Sequence, residues 1–138
     1  MKHVEFDTED GLNLPGLLYE AKGSKKVAIH LHGNGSSSVF YDVKENNDLP
    51  NELNKKGISL LKFNNRGAHI IKKLNVKVGD EVERKKFGCA YEIIKECVFD
   101  VDGAVMFLQC LGYKEFYLIG ASTGANKICV YNYYKPKN

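Results

Sequence analysis

Phe116-Tyr117-Leu118-Ile119-Gly120-Ala121-Ser122-Thr123-Gly124 decides how this chain is read. Its first four residues form a short apolar run with β-branched and aromatic content, the composition of a buried strand. Residues 125–131, Ala-Asn-Lys-Ile-Cys-Val-Tyr, can continue as a helix. A serine between two glycines at a strand-to-helix junction matches a nucleophile elbow, where a sharp turn lifts the hydroxyl clear of the sheet. Gly120 and Gly124 suit such a turn because the serine backbone is strained and neighbouring side chains would collide. A serine nucleophile also needs a histidine base and a carboxylate to orient that base. Residues 123–138 contain no Asp, Glu or His.

Working outward, 138 residues with 43% apolar content allow one domain with a core of its own. Net charge is +3, and the cations Lys72, Lys73, Lys77, Arg84, Lys85 and Lys86 fall in a stretch read as solvated loop. Neither nucleic acid nor membrane is therefore expected as a partner, since no recognisable module accompanies the charge and no apolar run approaches a membrane span. Met1 to Asp7 shows no apolar signal core, which suggests a cytoplasmic protein. Cys89, Cys97, Cys110 and Cys129 lack paired spacing, so they read as reduced thiols, buried where the context is apolar and helical. No metal or cofactor site is expected.

His3 to Thr8 and Leu12 to Glu20 read as a hairpin around Glu9-Asp10-Gly11. Pro15-Gly16 suggests an edge position or a bulge in the second strand. Val27 to His32 forms a compact strand, residues 39–56 look helical in part with a break or a fresh helix start at Leu49-Pro50, and Ile58 to Phe63 forms another strand. Residues 64–88 show little periodicity and read as a long loop. Apolar residues recurring at three- and four-residue steps from Ala90 to Leu111 predict an amphipathic helix stopped by Gly112. The alternation implies a single α/β domain over residues 1–138, a mixed, mostly parallel sheet with helices on both faces.

A second element agrees with the serine motif. His32-Gly33-Asn34-Gly35 follows an earlier strand. There the Asn34 backbone N–H, together with that of Thr123, could stabilise the oxygen that becomes negative during attack on an ester. A plain glycine-rich turn is the alternative. His69 is the internal candidate for a base, against the commoner alternative of an exposed loop histidine. His32 is expected to brace the loop by hydrogen bonding and His30 to be a satisfied core residue. Asp100, Asp102, Arg66, Asn64 and Asn65 read as structural rather than catalytic, and Tyr131, Tyr133 and Tyr134 as packing or an interface.

Three stretches in one order, Ile29-His30-Leu31-His32-Gly33, Phe63-Asn64-Asn65-Arg66-Gly67 and Tyr117 to Gly124, resemble the N-terminal half of the α/β-hydrolase superfamily. The resemblance implies a truncated fold ending after the elbow helix, and serine-dependent hydrolysis of esters or related acyl bonds without a cofactor. It makes Ser122 the nucleophile, Gly33, Gly35, Gly120 and Gly124 the motif glycines, and a small ester-like molecule the substrate of the parent family. Ala121 departs from the larger residue usual before the serine. Because similar proteins place acid and histidine after the serine, the chain alone is expected to be inactive. The alternative is a non-catalytic binding or assembly module pairing through an exposed sheet edge, as a homodimer or with a C-terminal partner fragment.

Overall fold

Residues 27–29 and 59–63 are buried without a break, so both faces of the sheet they form are covered. In a computed structural model, which describes residues 1–34, 38–41 and 43–135 (the backbone alone for 43–47), the strands are β1 (Lys2–Asp7), β2 (Asn13–Tyr19), β3 (Lys26–Leu31), β4 (Ile58–Phe63), β5 (Lys72–Val78), β6 (Glu81–Phe87) and β7 (Glu115–Gly120). The helices are α1 (Val43–Lys55), α2 (Cys97–Cys110, entered through a 3₁₀ turn at Ile94–Glu96) and α3 (Thr123–Tyr134). Five strands form the main sheet in the order β1-β2-β4-β3-β7, with β3 parallel to both β4 and β7.

On one face Phe6, Leu14, Leu18, Val27, Ile29, Leu31, Leu61 and Phe63 meet Val101, Ala104 and Leu108 of α2, and Ile128 and Tyr131 of α3. On the other, Leu17, Tyr19, Ala28 and Leu60 meet Leu53 of α1 and Phe40. Each fully buried aliphatic side chain contributes roughly 1.5–3 kcal/mol, so these faces supply most of the driving force for folding. The mixed sheet with helices on both faces is the architecture expected.

Several local expectations are corrected. The register of β1 on β2 is continuous, so there is no bulge, and β2 lies inside the sheet between β1 and β4. Pro15 is tolerated because β4 has already ended there: the Pro15 carbonyl accepts from Asn64 N–H, and the ladder side where its own N–H is missing faces the end of β4. Pro50 lies within α1, so Leu49-Pro50 does not break the helix. Residues 64–88 are not a long loop. They contain the β5–β6 hairpin, turned at Gly79-Asp80 with Gly79 at φ 63, the glycine-first pattern of a type II′ turn.

The long helix starts at Cys97, not Ala90, because residues 88–91 form a turn tied to the start of the hairpin: Cys89 N–H donates to the His69 carbonyl and Ala90 N–H to that of Ile70. At its far end Gly112 (φ 88) closes a Schellman motif, with Gly112 N–H on Gln109 O and Tyr113 N–H on Leu108 O. Of the cysteines only Cys97 is buried, whereas Cys110 and Cys129 lie on outward helix surfaces.

A buried ion cluster ties four segments together. Arg66, 1% exposed, donates through its backbone N–H and Nε to Asp100 on α2, both at 2.9 Å. Its Nη1 reaches Asp10 in the β1–β2 turn at 2.9 Å and Glu96 at 2.8 Å. Asp100 is thus a buried cap on the loop after β4 rather than part of a solvated face. Removing either member would strand a buried charge, a loss of about 3–5 kcal/mol.

Candidate active site

The elbow forms as the motif predicted. Ser122 has φ 53 and ψ −125, and it starts α3 directly after β7. That backbone conformation costs a non-glycine residue about 1–3 kcal/mol and persists only where its surroundings impose it. The glycines impose it by close approach. A Cβ on Gly124 would run into the Leu31 carbonyl of β3, and one on Gly120 would lie 2.5 Å from the Gly124 carbonyl carbon. A Cβ on Gly33 would come within 2.9 Å of Ser122 Cβ and 3.4 Å of its Oγ. The end of β3 therefore packs on the serine itself. Gly35 lies outside the described residues.

The two expected amide donors are neighbours. Asn34 N–H donates to Thr123 Oγ1 at 3.0 Å, which joins the glycine-rich loop to the first turn of α3. An oxyanion held by that amide would have to displace the threonine hydroxyl. The Ser122 side chain does not cap its own helix.

Beneath the elbow lies a polar layer organised by Asn65. Its N–H donates to His32 Nε2 at 3.2 Å, and His32 Nδ1 lies 2.9 Å from the Gly33 carbonyl. Together these contacts specify a neutral ring protonated at Nδ1. Burial is the main cause that pulls the His32 pKa down to about 4, with Lys127, Lys72 and His69 adding to it against the Gly33 bond. The expectation that His32 braces the loop is met. His30 differs: it is half-buried, its Nδ1 has no partner among the described residues, and burial with nearby Lys62 lowers it to about 4.

His69 sits at φ 66 with its ring 6.4 Å from that of Tyr41. Burial and Lys72 hold its pKa below the usual value, and no hydrogen bond joins it to Ser122 among the described residues. Asp102 on α2 accepts from Tyr131 of α3 and pairs with Lys135.

Sequence reading missed the partners of Asn65. Lys127, 1% exposed on α3, donates to Asn65 Oδ1 at 3.1 Å and pairs with Glu92 at 2.5 Å. The Glu92 carboxylate occupies the space a Cβ would need at Gly67. Lys72 Nζ donates to the Asn65 carbonyl at 3.2 Å, and burial pulls its pKa down to about 8 against the attraction of Asp100 and Glu92. A lysine inside an otherwise apolar helix turn was the available signal. Among the described residues no group of three or more His, Cys, Asp or Glu is placed to hold a metal ion.

No protein-family model and no curated protein sequence matches the chain. Solved structures do. GrgF, an alpha/beta hydrolase from Penicillium sp. sh18, superposes with a TM-score of 0.71 at 20% identity, over 97% of this chain and 42% of that one. The Pyrococcus furiosus esterase Pf2001 gives 0.64 at 27% identity, over 91% and 43%. The chain is a relative of the α/β hydrolases. An alpha-beta serine hydrolase homologue from Coxiella burnetii adds a TM-score of 0.64 at 18% identity, over 98% and 58%. The hydrolase relative thus spans about half the length of the structures it resembles.

The neutral histidines make a pH prediction. An unfolded histidine takes up its proton near pH 6.5, but folded His32 refuses it until about 4. The stability due to its neutral form is therefore complete above pH 6.5 and is lost as pH falls toward 4. Urea unfolding between pH 6 and 4.5 should show about 1.4 kcal/mol per pH unit from this group. His32→Gln should remove that share of the slope, and an unchanged slope would contradict the assignment.

Proposed function

We propose that this chain carries the nucleophile half of a serine acyl-hydrolase site acting on esters or related bonds. The observation that supports it best is Ser122 itself, held at φ 53 with its Cβ against Gly33. Pf2001 is an esterase, and Est1E from Butyrivibrio proteoclasticus has been solved with ferulic acid bound. In this reading Ser122 Oγ attacks the carbonyl carbon and its proton passes to a base. The carbonyl π electrons move onto oxygen, where the Asn34 and Thr123 amides hold them while Thr123 Oγ1 releases Asn34. Collapse expels the leaving group, which takes the proton from the base, and water then hydrolyses the acyl-serine by the same steps.

The base and its orienting acid are supplied from outside residues 123–138, which contain neither. Alone, the chain retains only what binding and the oxyanion amides provide, roughly a thousand-fold over water if the pocket persists.

A second reading, assembly through a sheet edge, is favoured by β7. Among the described residues that strand pairs only with β3, and Tyr117 on it is 43% exposed. Beside it runs a cavity of 510 Å³ lined by Phe116, Leu118, Val105, Ile128 and Tyr131. An unpaired edge of this kind invites another strand, from a second copy or from a C-terminal fragment.

A fluorophosphonate probe with added imidazole separates these readings. Imidazole can stand in for the missing base, so labelling should be slow without it, faster with it, and absent in Ser122→Ala. Fast labelling without imidazole that disappears in His69→Gln would place the base inside the chain. No labelling of Ser122 under either condition would remove the nucleophile assignment and leave assembly. Light scattering at high concentration would then have to find a dimer.

A further inference from the structure

The β5–β6 register sorts charges that look scattered in the sequence. Lys73 stands opposite Lys86, Asn75 opposite Arg84, and Lys77 opposite Val82, so these six residues share one face of the hairpin. All six are exposed, none is acidic, and Val82 among them is 61% exposed. The opposite face holds Val76, which is buried, together with Leu74 and Phe87, which pack on the core. It also carries Glu81 and Glu83, the latter paired with Lys85 at 2.9 Å. Among the described residues Lys73, Lys77, Arg84 and Lys86 make no ion pair, and only Lys86 has a neighbour of note, the ring of Tyr91 at 5.6 Å. Asp80 lies in the turn rather than on this face.

Two like charges directly opposite, Lys73 and Lys86, destabilise a hairpin. The outward arrangement therefore works against the fold unless an external anion relieves it. Exposed aliphatic side chains adjoin the same hairpin in the chain: Ile70 at 69% and Ile71 at 59% immediately precede β5.

We propose that the outer face of the β5–β6 hairpin docks on an anionic lipid surface. Residues 73–77 and 82–86 make a cationic face ~13 Å long. A plane of mobile headgroups meets such a face without the groove a peptide would need. The exposed aliphatics match the boundary between headgroups and acyl chains. A nucleic acid would call for stacking rings, and the six-residue face carries none. This inference is independent of the serine chemistry, since it needs neither Ser122 nor a base.

Sedimentation of the full chain with vesicles tests it. Vesicles of phosphatidylcholine with about one third phosphatidylserine, at about 0.1 M salt, should carry the protein down, and pure phosphatidylcholine should not. The quadruple variant Lys73→Gln, Lys77→Gln, Arg84→Gln, Lys86→Gln should partition roughly a hundred-fold less or worse. A control removing four other unpaired exposed cations, Lys22→Gln, Lys25→Gln, Lys56→Gln, Lys114→Gln, changes net charge equally and should lose less than about tenfold. Circular dichroism confirms that both variants fold. Val82→Ser should weaken partition without altering its salt dependence. Equal loss in both quadruple variants, or no phosphatidylserine-dependent binding by the native chain, would overturn the proposal. Binding to polyglutamate or oligouridylate without vesicle binding would overturn it too.

Discussion

Contact between the first turn of α3 and the last residue of β3 is the constraint on which the site depends. With no side chain at Gly124, the helix backbone settles onto the Leu31 carbonyl, and the chain leaving β7 must turn within two residues to reach it. Ser122 takes up that turn at φ 53. The strain, about 1–3 kcal/mol, is offset by buried neighbours such as Leu31, Ile29 and Val27, each contributing roughly 2 kcal/mol. A serine exposed at a rigid junction is the result, rather than one free to rotate on a loop.

That junction rests on a buried polar layer. Asn65 joins His32 through its backbone N–H, Lys72 through its carbonyl and Lys127 through its side chain, and through Lys127 the carboxylate of Glu92, so the end of β3, β5, α3 and the segment before α2 meet at one residue of the loop after β4. Next to it, Arg66 binds Asp10, Glu96 and Asp100. Adjacent residues after one strand thus anchor two networks, one beneath the nucleophile and one beneath α2. A half-satisfied layer of this kind would be costlier than an apolar one, which makes the loop after β4 as sensitive to substitution as the elbow. The Asn65 Nδ2 group is without a partner among the described residues and marks where the layer is least complete.

Local chemistry made the sheet legible in sequence. Gly120, Gly124 and the apolar run before them specify a turn that few other folds use, and Gly112 ends α2 as its position suggests. The β5–β6 hairpin escaped because only Val76 of its residues is buried, so its alternation carries charge on both faces instead of a polar–apolar contrast. Ala90 to Ile93 has helical spacing, yet a turn whose Cys89 and Ala90 amides bond to residues 69 and 70 outcompetes it, a case of tertiary contacts overriding local preference. Lys127 stayed hidden because its partner Glu92 is 35 positions away, and sequence spacing says nothing of such a pair. The histidine and acid of a complete triad are absent from residues 123–138, so no inspection of them could supply a base.

The central claim is that Ser122 and the Asn34 and Thr123 amides form one reactive constellation. A crystal structure of the chain phosphonylated by a fluorophosphonate, with imidazole as the added base, tests it most directly. The account predicts phosphorus on Ser122 Oγ and the phosphoryl oxygen about 2.7–3.1 Å from both amide nitrogens, with Thr123 Oγ1 displaced from Asn34. A phosphoryl oxygen directed to solvent, with the Thr123–Asn34 bond intact, would contradict it.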